Sequence, residues 1–288
     1  MFVLGFPTMF IVGVILAAVV GMLAWKLGWL TWGGAWGATL IGGLVFGFGG
    51  LTWAAVLIAF FAASVLLSRV GSVHKARVLA DFAKSGPRDF VQTLANGGVA
   101  ALMALGVGIF GHHSPLYPYL TLAYFGSLAA ATADTWATEL GMLSKQQPRR
   151  ISTWQPTQPG VSGGVTLVGM LASVAGGAFM GVVTFGLIQA ASLLSSRHWF
   201  LQDWFLLPTL TLAGLVGSVA DSFLGATLQR LYYCERCQVP TEKPTHVCGA
   251  SARLIRGRSW MNNDLVNFLA TCIGAIVALI TSLPFLIS

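Results

Sequence analysis

Charge is what this chain has least of. Asp, Glu, Lys and Arg make up 9% of its 288 residues, against 56% hydrophobic residues and a mean hydropathy of +0.77. A soluble domain carries roughly a quarter of its residues charged, so this composition excludes one and requires the apolar runs to be read against lipid. A helix needs about 20 apolar residues to cross the hydrocarbon core. Runs of that kind fall at about 5–25, 29–48, 50–68, 91–111, 116–141, 162–194, 204–229 and 264–286. The expected fold is all-α: a polytopic transmembrane bundle of about eight spans, with a small cytoplasmic Cys/His loop. Met1 opens almost directly into an apolar segment without a positive leader region, so that segment is expected to stay as the first span.

Acids are absent from residues 1–68 altogether, which removes carboxylate chemistry from that part of the chain. Small residues there (Gly33, Gly34, Gly37, Gly42, Gly43) suit close helix packing in lipid, so 1–68 reads as transmembrane scaffold. A basic connection follows over 69–90, and 91–288 reads as the functional core, including the Cys/His loop at 231–258. The net charge of +7 sits in the connections: five Lys and Arg between Arg69 and Arg88, three between Lys145 and Arg150, six between Arg230 and Arg258. The positive-inside rule then places those connections in the cytoplasm and both termini outside, in a cell inner or plasma membrane. No folded basic module with aromatic platforms is present, so the charge is topological and does not indicate nucleic acid.

The few acids that exist are informative because of where they fall. Asp134, Glu139, Asp221 and Asp264 lie in or at the edges of spans, where an ionisable group costs roughly 2.5–3.5 kcal/mol to insert. The topology above pools them toward the cytoplasmic end, where they repel one another unless a proton or a cation intervenes. Mg²⁺, held by one or two carboxylates plus substrate phosphates, fits that need. The blander alternative is a set of buried acids bonded to neighbouring Thr, Ser or Trp. Within "ATADTWATELG", Asp134 and Glu139 are five residues apart and project about 140° from each other on a helix, so a shared ion requires Asp221 or a helix break near Gly141.

Two Gly-containing stretches accompany the acids. "QPGVSGG" (Gln158–Gly164) would start a helix with free amides at Ser162, Gly163 and Gly164, an anion site, unless Ser162 is a plain N-cap. "ANGG", from Asn96, would open another. With the cations Lys145, Arg149 and Arg150 on the same face, these features suggest phosphoryl-group chemistry. In the loop "CERCQVPTEKPTHVC", Cys234, Cys237, His246 and Cys248 could bind structural Zn²⁺, form a reduced thiol cluster or pair as a disulfide. Cys272 reads as packing.

"QTLANGG", "ADTWATELG", "PGVSGGV", "GSVADSFLGATLQ", the Cys/His loop and "WMNNDLVN", in that order over roughly Arg88 to Asn267, resemble an uncharacterised-domain family of integral membrane proteins. That family includes the phytyl-phosphate kinase of tocopherol synthesis. More distantly the pattern is similar to the CTP-dependent prenol kinases and phosphatidate cytidylyltransferases. The resemblance implies a Mg²⁺-dependent kinase that transfers a phosphoryl group from CTP or ATP to a prenyl monophosphate at the cytoplasmic face. It would use Asp134, Glu139 and Asp221 for the metal and Asp264 as a further ligand or base. Lys145, Arg149, Arg150, Arg256 and Arg258 would neutralise phosphates, and Asn96 and Asn263 would orient nucleotide or acceptor. The alternative is a lipid or ion-coupled transporter or flippase working through Asp134 and Asp221.

Overall fold

The computed structural model describes residues 6–70, 86–194 and 201–287. Most of the basic 69–90 connection and the 195–200 stretch lie outside them. The described helices are α1 (Phe6–Lys26), α2 (Trp32–Leu44), α3 (Gly50–Arg69), α4 (Phe90–Phe110), α5 (Tyr117–Gly141), α6 (Leu167–Leu194), α7 (Leu206–Thr227) and α8 (Asn263–Ile287). They correspond in position to the expected spans. By length and composition, five segments can cross a membrane: Trp32–Arg69 taken as one, Phe90–Phe110, Leu167–Leu194, Asp203–Thr227 and Asn263–Phe285.

A π-helical turn, Val45–Gly49, joins α2 to α3, and Gly50 (φ 79°) reverses the chain. The start of α2 and the end of α3 therefore lie at one end of the bundle. There Thr31 N–H donates to the Arg88 carbonyl at 3.0 Å, and the Arg69 guanidinium sits 5.1 Å over the Trp29 ring. The ends of α5 and α7 and the starts of α4, α6 and α8 gather at that same end, called here the site end.

Each described helix that begins at the site end has a side chain covering its first amides. Thr31 accepts from Gly34 N at 3.0 Å for α2. Asp89 and Gln92 form a reciprocal capping box for α4, at 2.9 and 3.0 Å. Thr166 accepts from Gly169 N at 3.0 Å for α6, and Asn262 from Leu265 N at 2.9 Å for α8. Two expectations are corrected here. Ser162 is not a cap, because α6 begins at Leu167 with Thr166 in that role. Asn96 does not open a helix, because α4 has already begun at Phe90.

Helix α5 is the axle. Every residue from Leu122 to Ala133 is buried, and α3, α4, α6, α7 and α8 all pack against it. Among the described spanning segments it is absent, and its position explains why: surrounded by protein, it need not be apolar on every face. Small residues let its neighbours approach. A Cβ on Gly126 would lie 2.5 Å from the Gly274 carbonyl oxygen of α8, and one on Gly217 of α7 would meet Ala130. On the other side Tyr124 stacks on Trp53 of α3 at 4.1 Å and donates its hydroxyl to the Trp53 carbonyl at 2.6 Å.

Short strands decorate the site end. β1 (Arg149–Arg150) pairs with β2 (Gly164–Val165), and a three-stranded antiparallel sheet follows α7 in the order β4 (Val239–Thr241), β3 (Leu231–Cys234), β5 (Arg253–Arg256). They are too small to alter the all-α class.

Replacing Gly126 by Leu should push α8 off α5 and destabilise the bundle by about 1–3 kcal/mol or more, the range for overpacking a tight core. Thermal unfolding in detergent checks this, with Gly186→Ala, which has open space at its Cβ, as a variant whose midpoint should not fall.

Candidate functional site

At the site end the helices enclose a cavity of about 460 Å³. Helix α5 contributes Asp134, Thr138 and Glu139, and α7 contributes Ser218, Asp221 and Ser222. Asn96 and Gln92 come from α4, with Arg88 just before it, and Asn263 and Asn267 come from α8. The stretch from Gln158 to Thr166 closes one wall, and Glu242 reaches in from beyond β4. The sequence-predicted Asn96, Asp134, Glu139, Ser162, Gly163, Gly164, Asp221 and Asn263 are thus brought together.

The acids divide into different environments. Asp221 lies within electrostatic reach of Asp134 and Glu242, and its Oδ2 is buried without a hydrogen-bond donor. The hydroxyls beside Asp134 are committed elsewhere: Thr135 donates to the Ala131 carbonyl at 2.8 Å and Thr132 to that of Leu128 at 2.7 Å. A buried acceptor without a donor, facing a second carboxylate, fits a hard cation that takes oxygen ligands. Glu139 is held differently, accepting the Ser68 hydroxyl of α3 at 2.6 Å with the Arg88 guanidinium nearby. The 140° divergence read from the sequence therefore sorts the two acids into separate partnerships on one cavity wall. Burial pulls the Arg88 guanidinium below its usual range, and the Glu139 charge partly restores it.

The Gly-rich turn is docked from behind. Its Ser162 hydroxyl donates to Glu242 and accepts from Gln229 Nε2 at 2.8 Å, and Gln229 Nε2 also reaches Glu242 Oε1 at 2.9 Å. Arg256 Nη2 donates to the carbonyls of Ser162 (3.1 Å) and Gly225 (2.9 Å). Gly163 has φ +84°, and a Cβ there would run into the Ala226 backbone at the end of α7. Glycine is required at this point for close approach of the turn to α7. Burial pushes the Glu242 carboxyl up, opposed by the Ser162 hydroxyl and the charges of Arg256 and Arg230. Burial, then repulsion from Arg150, pulls Arg256 down.

Several predicted site residues stand outside the cavity lining. Arg256 supports the turn from its far side, and Arg150 lies close to it. Arg149 Nη1 is used by the Trp154 carbonyl at 2.9 Å, and the Arg258 amide by the Leu228 carbonyl at 2.9 Å. Lys145 lies next to the lining residues Ser144 and Gln146, and Asp264 next to Asn263, without lining the cavity themselves. Among the described residues, the cation that does line it is Arg88, which sequence reasoning missed, as it did Gln92 and Glu242. Arg88 and Gln92 had a signal: both belong to the polar "RDFVQTLANGG" stretch at a helix start. Glu242 had none, since its loop reads first as a metal or thiol motif.

A second cavity of about 300 Å³ lies between the diverging α2 and α3, with α1 and α4 completing its walls. Leu16, Val20, Ile41, Leu57 and Phe61 are among its lining, which is almost wholly apolar apart from Arg88, Gln92, Thr93 and Asn96. Arg88, Gln92 and Asn96 line both cavities.

The architecture is that of a polytopic helical membrane protein with a polar cavity at one end of the bundle. The chain belongs to the family described as integral membrane protein DUF92, which it matches over residues 15–275. It is similar to Protein PGR of Arabidopsis thaliana, with 34% identity over 79% of this chain and 81% of that protein. It is also similar to the uncharacterized membrane proteins MJ0933 of Methanocaldococcus jannaschii (29% identity; 78% of this chain, 74% of that protein) and sll0875 of Synechocystis (26%; 78% and 71%). No solved structure matches the chain.

Gly163→Ala should undock the turn, adding about 1–2 kcal/mol of left-handed strain to the clash with Ala226. Hydrogen exchange should then speed up over 161–166. Gly28→Ala carries the same kind of strain at φ +71° but meets open space, and should leave 161–166 unchanged.

Proposed function

We propose that the protein is a membrane prenyl-phosphate kinase, transferring a phosphoryl group from a nucleoside triphosphate, CTP or ATP, to a prenyl monophosphate to give the diphosphate. The observation that carries this reading is the sharing of Arg88, Gln92 and Asn96 between a polar, carboxylate-lined cavity and an apolar groove. An amphiphile with a hydrocarbon tail and a phosphate head fits that junction: the tail between α2 and α3, the head beside Arg88. The resemblance of the site motifs to phytyl-phosphate kinase supports the same substrate class.

Asp134 and Asp221 would hold Mg²⁺, whose chemistry when bound is to neutralise and align the phosphate oxygens of the nucleotide. Arg88 would neutralise the acceptor phosphate, with Glu139 and Ser68 fixing it against the end of α3. Asn96, Asn263 and Asn267 offer amide groups that can orient either phosphate. The turn at Ser162–Gly164, with Arg150 and Arg256 behind it, presents backbone dipoles and positive field to the nucleotide. The acceptor is already an oxyanion, so no strong base is needed, and positioning with charge neutralisation supplies most of the acceleration. The basic connections at the site end favour a cytoplasmic orientation, where nucleotide is available. A transporter would be expected to keep its polar groups near the membrane midplane in paired repeats; here they gather at one end of the bundle.

Purified protein with Mg²⁺, γ-labelled CTP or ATP and phytyl, farnesyl or geranylgeranyl monophosphate should form labelled diphosphate. Asp134→Asn and Asp221→Asn should each lower kcat by about 100-fold or more, the scale of removing one preorganised electrostatic group. Arg88→Gln should raise KM for the prenyl phosphate more than for the nucleotide. No turnover with any of these pairs, in protein that unfolds cooperatively, would overturn the reading.

A further inference from the structure

The three-stranded sheet after α7 has almost no hydrophobic core. Between residues 231 and 258 the buried hydrophobic residues are Leu231, Tyr232 and Cys234. A unit of that size needs another source of stability, a disulfide or a metal. The cysteines are free in the structure, and Cys234 Sγ lies 3.7 Å from Cys248 Sγ where a disulfide would bring them to about 2.05 Å.

The spacing suits a metal instead. Ligand atoms of Cys234, Cys237, His246 and Cys248 all lie within 4.8 Å of one another. Two sulfurs each about 2.3 Å from a tetrahedral zinc ion stand about 3.8 Å apart, close to the 3.7 Å found for Cys234 and Cys248. The backbone is folded to deliver the ligands in pairs. Gln238 N donates to the Cys234 carbonyl at 2.8 Å and Gly249 N to that of His246 at 2.9 Å, closing one tight turn around each pair. Each turn is finished by a residue with left-handed backbone directly after its second ligand, Gln238 at φ 57° after Cys237 and Gly249 at φ 83° after Cys248. The narrow His246-x-Cys248 spacing, uncommon in sequence terms, is accommodated by that turn.

We propose that Cys234, Cys237, His246 and Cys248 bind one structural Zn²⁺ ion, which holds Glu242 and Arg256 in place against the Ser162–Gly163 turn. Three thiolates and an imidazole select zinc over the hard cations suited to the carboxylates, and four protein ligands leave no open position for catalysis. Glu242 lies between the two ligand pairs in sequence, four residues before His246, and Arg256 ends the strand β5 that pairs with the Cys234-bearing β3. Metal at the cluster therefore fixes the strands from which both groups reach the turn. This inference does not depend on the kinase reading, since its readouts are metal content and exchange rather than turnover.

Elemental analysis of the full-length protein, purified in detergent without chelator, should give about one zinc per chain, as four ligands make one closed site. Cys237→Ser and His246→Ala should lose most of it, whereas Cys272→Ser should keep it. Should those variants fail to fold, stepwise mercurial titration of the wild type should release the zinc, with hydrogen exchange accelerating over both 239–246 and 161–164. The proposal is overturned by wild-type protein that carries no zinc, by iron or copper in its place, or by zinc that survives Cys237→Ser. Release of zinc without faster exchange at 161–164 would overturn the clamping role.

Discussion

The close packing of α5 among its neighbours is the constraint on which the rest depends. A carboxylate-bearing helix is tolerated in a bilayer only where protein or water, and not lipid, surrounds the charge. The run of small residues from Ala129 to Ala133 on α5, met by Gly214 and Gly217 on α7 and Gly274 on α8, lets the backbones close around it. Water contributes little driving force between helices in lipid, so this fit must come from surface contact, and bulk at any one of these positions is felt along the whole helix. Because α5 is sheathed from Leu122 to Ala133, its last turns can carry Asp134 and Glu139 into a cavity without presenting them to hydrocarbon.

Around that axle the site is assembled from pieces that do not share an element. Helix α7 brings Asp221 opposite Asp134, α4 brings Arg88 and Asn96, and α3 reaches Glu139 through Ser68. The Gly-rich turn is a wall without a helix of its own, and it is held by Gln229, Glu242 and Arg256 from the segment after α7. The cations divide in the same way. Arg88 faces the cavity from the side of the apolar groove, while Arg150 and Arg256 stand behind the turn. An anionic head entering from the groove and a second anion approaching the turn would each meet positive charge from a different direction. On the proposed reading, these two anions are the acceptor phosphate and the nucleotide.

Much of this was legible in the sequence, for physical reasons. Scarce charge and long apolar runs specify a helical membrane bundle, and an acid in such a run is costly enough to single out; of the four acids so chosen, Asp134, Glu139 and Asp221 line the cavity and Asp264 does not. Helix periodicity shows that Asp134 and Glu139 point apart, yet both were expected at one metal; in the structure Glu139 instead accepts the Ser68 hydroxyl. What stayed hidden depends on chain segments far apart in sequence. The basic residues Lys145, Arg149 and Arg258 look like phosphate ligands because they share a face with the acids, yet a loop's path decides which side chains turn inward, and these do not. Glu242 was invisible because nothing local distinguishes a buried carboxylate in a polar loop. The Ser162–Gly164 stretch reads as a helix start, but the bulk of α7 at Ala226 makes it a docked turn.

On the proposed reading, Asp134 and Asp221 act together as the cation-binding pair of the cavity. Mn²⁺ titration of the purified protein, followed by the electron paramagnetic resonance signal of the free ion, tests it without assuming any substrate. Saturable uptake is expected at one site that is competed by Mg²⁺, persists in Cys237→Ser, and is lost in both Asp134→Asn and Asp221→Asn. Uptake that is unchanged in those two aspartate variants would contradict it.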